Sequence, residues 1–152
     1  MIEFTNTVVI ERPVNEVFGF VSDLRNVPKW NYYVLSVSKT SDGPVGVDST
    51  YHQVRKTDEQ DIRIVDYQPD RQVTLQTIPP SKPEFEMRFT FEPEDNGTRI
   101  TDEWKLNTGR NPLLERLGAG RIKSAVLENL GKLKELMETG EVHLQDGRQV
   151  ML

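Results

Sequence analysis

Asp102, Gln53, Arg55 and Asn129 are the side chains whose type and placement could do chemistry inside a fold. Asp102 lies in a run where Ile100, Trp104 and Leu106 share its parity, so a period-two strand carries its carboxyl to the apolar face. Gln53 and Arg55 share the parity of Tyr51, whose ring would be exposed if that strand were turned over. Asn129 falls about 20° from the Ile122 direction on a helix advancing 100° per residue. Burying such groups costs free energy unless they are paired. Left unpaired, they would orient the polar end of a bound molecule, or move protons on it as acid and base. Paired, they are structural: Asp102 with an arginine, Asn129 with a sheet backbone group, Arg55 at a rim. The residues alone leave both readings open. Asp102 is the one catalytic candidate, and no acid/base couple can be assigned around it.

Other chemistries lack their residues. The chain has no cysteine, hence no disulfide framework, thiolate site or cysteine nucleophile. His52 and His143 lie far apart, and no cluster with metal-ligand spacing accompanies them, so the sequence implies neither a metal nor a cofactor. No Gly-x-Ser-x-Gly elbow is present. Gly118-Ala119-Gly120 is the one small-residue cluster, and no strand precedes it as a phosphate-binding loop requires. Its glycines read as a kink, a close helix crossing or a mobile entrance. With 19 basic against 24 acidic residues the net charge is −5, against the basic face that nucleic acid demands. No apolar run approaches a membrane span, and Met1 to Pro13 does not read as a signal peptide, so a cytoplasmic protein is expected.

The elements that must position these groups follow from periodicity. A first strand is carried by Phe4, Val8 and Ile10. Pro13 opens a short helix through Val14, Val17, Phe18 and Val21, and a second helical turn, broken at Pro28, ends on Trp30. Strands are then predicted at 32–40, 49–56, 61–67, 71–78, from 84 onward, and 98–106. The fifth and sixth are separated by a Pro-rich loop, and the last two are joined by the Asp95-Asn96-Gly97 turn. Short loops make neighbours antiparallel. Asn111 to Glu138 forms the organising element, an amphipathic helix from Ile122 onward with Ile122, Ala125, Val126, Leu133, Leu136 and Met137 on one face. One domain over 1–140 is expected, with 141–152 a weakly ordered tail.

The order of elements, with IERPVNEVFGFVSDLRNVPKW at 10–30, IVDYQPDRQV at 64–73, FTFEPEDNGTRIT at 89–101 and the closing NPLLERLGAGRIKSAVLENLGKLKELME, resembles the START/Bet v 1-like (SRPBCC) superfamily, in its polyketide cyclase/dehydrase-like branch. The resemblance implies an α+β helix-grip, in which a curved seven-stranded antiparallel sheet wraps a long C-terminal helix around a cavity for a hydrophobic or amphipathic small molecule. These are signatures of architecture rather than of catalysis.

Placed on that fold, Phe85, Met87 and Phe89 form one wall and Trp104 the next. Val126 and Asn129 face them from the helix, Tyr51, Gln53 and Arg55 lie on the third strand, and Trp30 stands near the mouth. Most such apolar residues serve only as core. Trp30 is either a ligand contact or a lid. The expected role is binding by a carrier or sensor. A cyclase or dehydratase acting through cavity acid/base groups is the alternative, and a protein-interaction or quinone-chaperone role stands behind it. The partner is a hydrophobic small molecule, with the protein itself a monomer or homodimer.

Overall fold

The computed structural model describes all 152 residues. The chain runs β1 (Ile2–Ile10), α1 (Val14–Val21), a 3₁₀ segment (Leu24–Lys29), β2 (Val34–Lys39), β3 (Thr50–Arg55), β4 (Glu59–Gln68), β5 (Gln72–Thr77), β6 (Glu84–Glu94), β7 (Gly97–Asn107) and α2 (Pro112–Thr139). Two short strands follow, β8 (Glu141–His143) and β9 (Gln149–Met151). The main sheet is seven-stranded and antiparallel, in the order β1-β7-β6-β5-β4-β3-β2, so the first strand closes against the last hairpin. This is the α+β helix-grip that the sequence predicts.

Alternation decides which residues face α2. Asn6, Asp102, Phe89 and Val73 lie side by side across four strands, and Phe4, Trp104, Met87 and Leu75 form the adjacent row. Beyond them, Tyr51 pairs with Ile62, and Gln53 with Gln60. Irregularities between Ile64 and Asp66 and between Val34 and Ser36 shift the register. Neither reverses β3, so Tyr51 and Gln53 point inward and are buried, as their parity predicts. The core joins this face to Phe18, Val21 and Leu24 and to Leu130, Leu133 and Met137 of α2. A fully buried leucine or phenylalanine contributes about 1.5–3 kcal/mol.

The helix is longer than its stripe predicts. It begins at Pro112, where Asn111 accepts the Leu113 N–H at 2.8 Å and proline occupies the first turn, and it ends at Gly140 with φ +87°. It passes unbroken through Gly118-Ala119-Gly120, and a Cβ at either glycine would meet open space, so no close crossing requires them. Ala125, read as part of the apolar stripe, is exposed, and Ile122 and Val126 are only half-buried; burial becomes complete from Asn129 onward. Arg12 fastens the last turn, donating to the carbonyls of Met137 at 3.0 Å and Glu138 at 2.9 Å.

The expected weakly ordered tail is instead a two-stranded ribbon, β8 on β9. Val142 and Leu144 are buried against Leu136, which explains why the chain orders there: the ribbon covers apolar surface that the helix end would otherwise expose.

Candidate functional site

Strand β7 carries Asp102 to the centre of the inner face, where the carboxyl is 1 % exposed. No arginine reaches it. Its partners are the backbone N–H of Asn6, which donates to Oδ1 at 2.9 Å, and the indole N–H of Trp104, which donates to Oδ2 at 3.1 Å. Burial pushes the carboxyl up to about 6, and the two donors pull it back only in part. Asp102 is therefore an interior carboxyl whose neutral form is favoured by burial.

Asn6 was missed in the sequence because only its apolar neighbours were counted. It shares the parity of Phe4, Val8 and Ile10, and that signal was sufficient to find it. Its Nδ2 donates to the Lys123 carbonyl at 3.2 Å, fixing α2 over β1. Gln60 was missed in the same way. It accepts from Gln53 Nε2 at 2.9 Å and donates to the Pro83 carbonyl at 2.8 Å, so Gln60 links Gln53 to the loop before β6.

The other candidates separate into groups. Phe85, Trp104, Met87 and Phe89 lie on neighbouring positions of β6 and β7, with Phe4 joining them: Trp104 stacks on Phe4 at 5.9 Å between centroids and leans on Phe85 at 5.2 Å. Val126 lies on the sheet-facing side of α2 with Ile122, but Phe4, Phe85, Trp104, Ile122 and Val126 all remain half-buried although they point inward. Deeper in, Met87 and Phe89 are buried, and Trp30 packs edge-on against Phe89 at 6.5 Å. Trp30 Nε1 and Tyr51 Oη are buried without a hydrogen-bond partner. Burial also drives the Tyr51 hydroxyl up to about 12.

Arg55 does not join them. It forms a two-pronged pair with Asp58 at 2.7 Å and lies over the Tyr33 ring, drawn to the β3–β4 turn. Asn129 bonds no sheet backbone; it accepts from Gln145 Nε2 at 3.0 Å, from the segment between β8 and β9. Two surface clefts are present, and neither is lined by α2. One of about 340 Å³ is lined mainly by polar residues of the outer sheet face, including Glu86, Arg88, Glu103 and Lys105, together with Phe4 and Trp104. The other, of about 420 Å³, lies by the Glu94–Gly97 turn.

The model of the polyketide cyclase/dehydrase and lipid transport family matches residues 1–138. The chain belongs to that family. Its fold is shared with a START superfamily protein from Mycobacterium smegmatis at TM-score 0.73 and 13 % identity, covering 90 % of this chain and 99 % of that one. DynU16, a putative protein in the dynemicin biosynthetic locus, aligns at TM-score 0.70 and 21 % identity over 92 % of this chain, which spans 48 % of its length. DR_A0006 from Deinococcus radiodurans aligns at TM-score 0.69 and 14 % identity over 92 % of this chain and 99 % of that one. At these identities the likeness is one of fold. No protein of curated function matches the sequence.

Proposed function

We propose that the protein binds a hydrophobic or amphipathic small molecule in the gap between the sheet and the N-terminal half of α2. The observation that carries this reading is the half-burial of Phe4, Phe85, Trp104, Ile122 and Val126, apolar side chains that face the interior and yet stay wet. Covering them removes apolar area from water, worth about 25 cal/mol per Å². At the inner end of the gap Asp102 and Asn6 supply polar anchors. Trp30 Nε1 and Tyr51 Oη lack partners deeper in the core, and a polar atom of the ligand would relieve the cost of leaving them unpaired. The mix of apolar walls and few polar groups is typical of small-molecule sites.

The test is native mass spectrometry of freshly purified protein with denaturing extraction, followed by titration with an apolar fluorescent probe. A bound apolar molecule, or a probe displaced by filling the gap in Val126→Trp, is the expected result. A clean apo mass with no probe binding overturns the reading.

A second reading rests on Asp102. A buried carboxyl near 6, held by two N–H donors, suits general acid/base work on a carbonyl-rich substrate, as in a cyclase or dehydratase. Turnover abolished in Asp102→Asn with binding retained supports it, and retained turnover removes it.

A further inference from the structure

The sheet-facing side of α2 carries Ile122, Val126, Asn129 and Leu133, and the opposite side would ordinarily be charged. It is not. At 100° per residue, Leu113, Leu117, Gly120, Ser124, Leu127 and Gly131 lie within about 40° of one direction, diametrically opposite the sheet. All are exposed, with Leu113 at 64 % and Leu117 at 74 %, and Leu114 beside them at 57 %.

Cations flank this strip on both sides. Arg116 and Lys123 lie about 60–80° to one side and Arg121 about 80° to the other, while Arg110 stands just before the helix. Each is exposed, and none forms an ion pair. The one acid among them, Glu115, is turned inward, where it pairs with the amino-terminal ammonium and accepts from Thr108. The next, Glu128, stands about 60° off the strip beside Leu127, at its C-terminal end. A basic, acid-poor surface around bare leucines is thus set in a chain of net charge −5.

We infer that this outer face of α2 docks the protein on an anionic phospholipid bilayer. Leucines entering the headgroup boundary, with Arg and Lys at its edges, make the pattern of an interfacial helix, and the cations lie level with lipid phosphates. No helix is long and apolar enough to cross a membrane, so the contact is peripheral. Charge decides against a second copy as the occupant. Antiparallel pairing along the strip can bring Arg121 to Glu128 on one edge but sets the Arg116 and Lys123 edge against itself, and parallel pairing sets Arg116 beside Arg121, whereas an anionic surface faces every cation at once. The inference is independent of the interior gap, because none of these side chains lines it.

The test is co-sedimentation of the full chain with phosphatidylcholine vesicles, with and without about 30 % phosphatidylserine. Binding is expected only with the anionic lipid, falling steeply between about 0.05 and 0.5 M salt. Each cation removed, as in Arg116→Gln or Arg121→Gln, weakens it about five-fold. Leu113→Ser with Leu117→Ser abolishes it while the circular dichroism melt stays unchanged, since both residues are already in water. Equal binding to neutral vesicles, no binding to either, or full binding by the serine variant overturns the inference. So does a dimer in sedimentation velocity that the serine variant disperses, which would give the face to a second copy. The comparison of the two vesicle types with the wild-type chain stands even if a variant misfolds.

Discussion

Trp104 donates its indole N–H to Asp102, two residues back on the same strand, at 3.1 Å. One residue therefore serves both the aromatic cluster with Phe4 and Phe85 and the interior carboxyl. A molecule that displaces the indole strips a hydrogen bond from the charged form and favours the neutral one. Ligand occupancy is expected to raise the Asp102 titration above its resting value of about 6. Carboxyl-detected NMR with and without ligand checks this, and an unmoved midpoint would separate the wall from the acid.

Asp102 also links stability to pH. Its folded value lies above the ordinary 3.8, so the native state holds the proton more tightly than the unfolded chain. Stability then falls as pH rises from about 4 to about 6, and the penalty is complete above that window. About two units correspond to about 3 kcal/mol. Asp102→Asn removes the buried charge but keeps only one acceptor for two donors, so a gain of about 1–2 kcal/mol at pH 8 is expected, with the slope between pH 4 and 6 lost. Urea denaturation across that range measures both.

Gly97 occupies the β6–β7 turn because nothing larger fits. A Cβ there would stand 2.5 Å from the Ile10 carbonyl oxygen and 3.2 Å from Glu11 Cα, both backbone atoms at the end of β1. Gly97→Ala forces the turn away from β1 and is expected to cost about 1–3 kcal/mol, the range of overpacked sites. Thermal denaturation reads the loss, and Gly43→Ala is not a suitable control because its φ is +85°. Gly46→Ala, with open space and no such φ, is expected to change little.

The C-terminal ribbon adds stability to the helix end. Leu144→Ala removes a buried side chain from the cluster with Leu136 and Val142 and should cost about 2 kcal/mol or more. Its effect should reach Gln145 and thereby Asn129. A melting temperature unchanged in Leu144→Ala would mean that the ribbon covers the helix without stabilising it.

The sheet was legible because alternation survives short strands: Phe85, Met87 and Phe89 set β6, and the parity of Trp104 set Asp102 inward. Parity also placed Gln53, but it could not tell that Gln60 would satisfy it from the next strand. Arg55 shows the limit of the method, since an acidic neighbour three residues away, Asp58, outweighed its inward parity. The ribbon escaped notice because β8 and β9 are three residues each, too short for a period to register. The first turns of α2 were illegible for a different reason. Their leucines face away from the sheet, so they do not continue the Ile122 stripe, and an amphipathic reading begins only where that stripe does.

Arg12 holds the last carbonyls of α2, and Leu130, Leu133 and Leu136 anchor the same half, while the other half meets β1 through the Asn6 bond to Lys123. Mechanically, this is a beam packed along one half and tied at the other by polar contacts alone, the Asn6 bond and the buried Glu115 carboxylate held by Thr108 and the amino terminus. Bending of the half-buried turns between those ties would change the width of the proposed gap without disturbing the core, and the stiffness of a few helical turns would then set the threshold for admitting a guest. Amide hydrogens from Leu113 to Ser124 will exchange well before those from Leu130 to Met137, and the ratio of the two rates measures how readily the entrance opens.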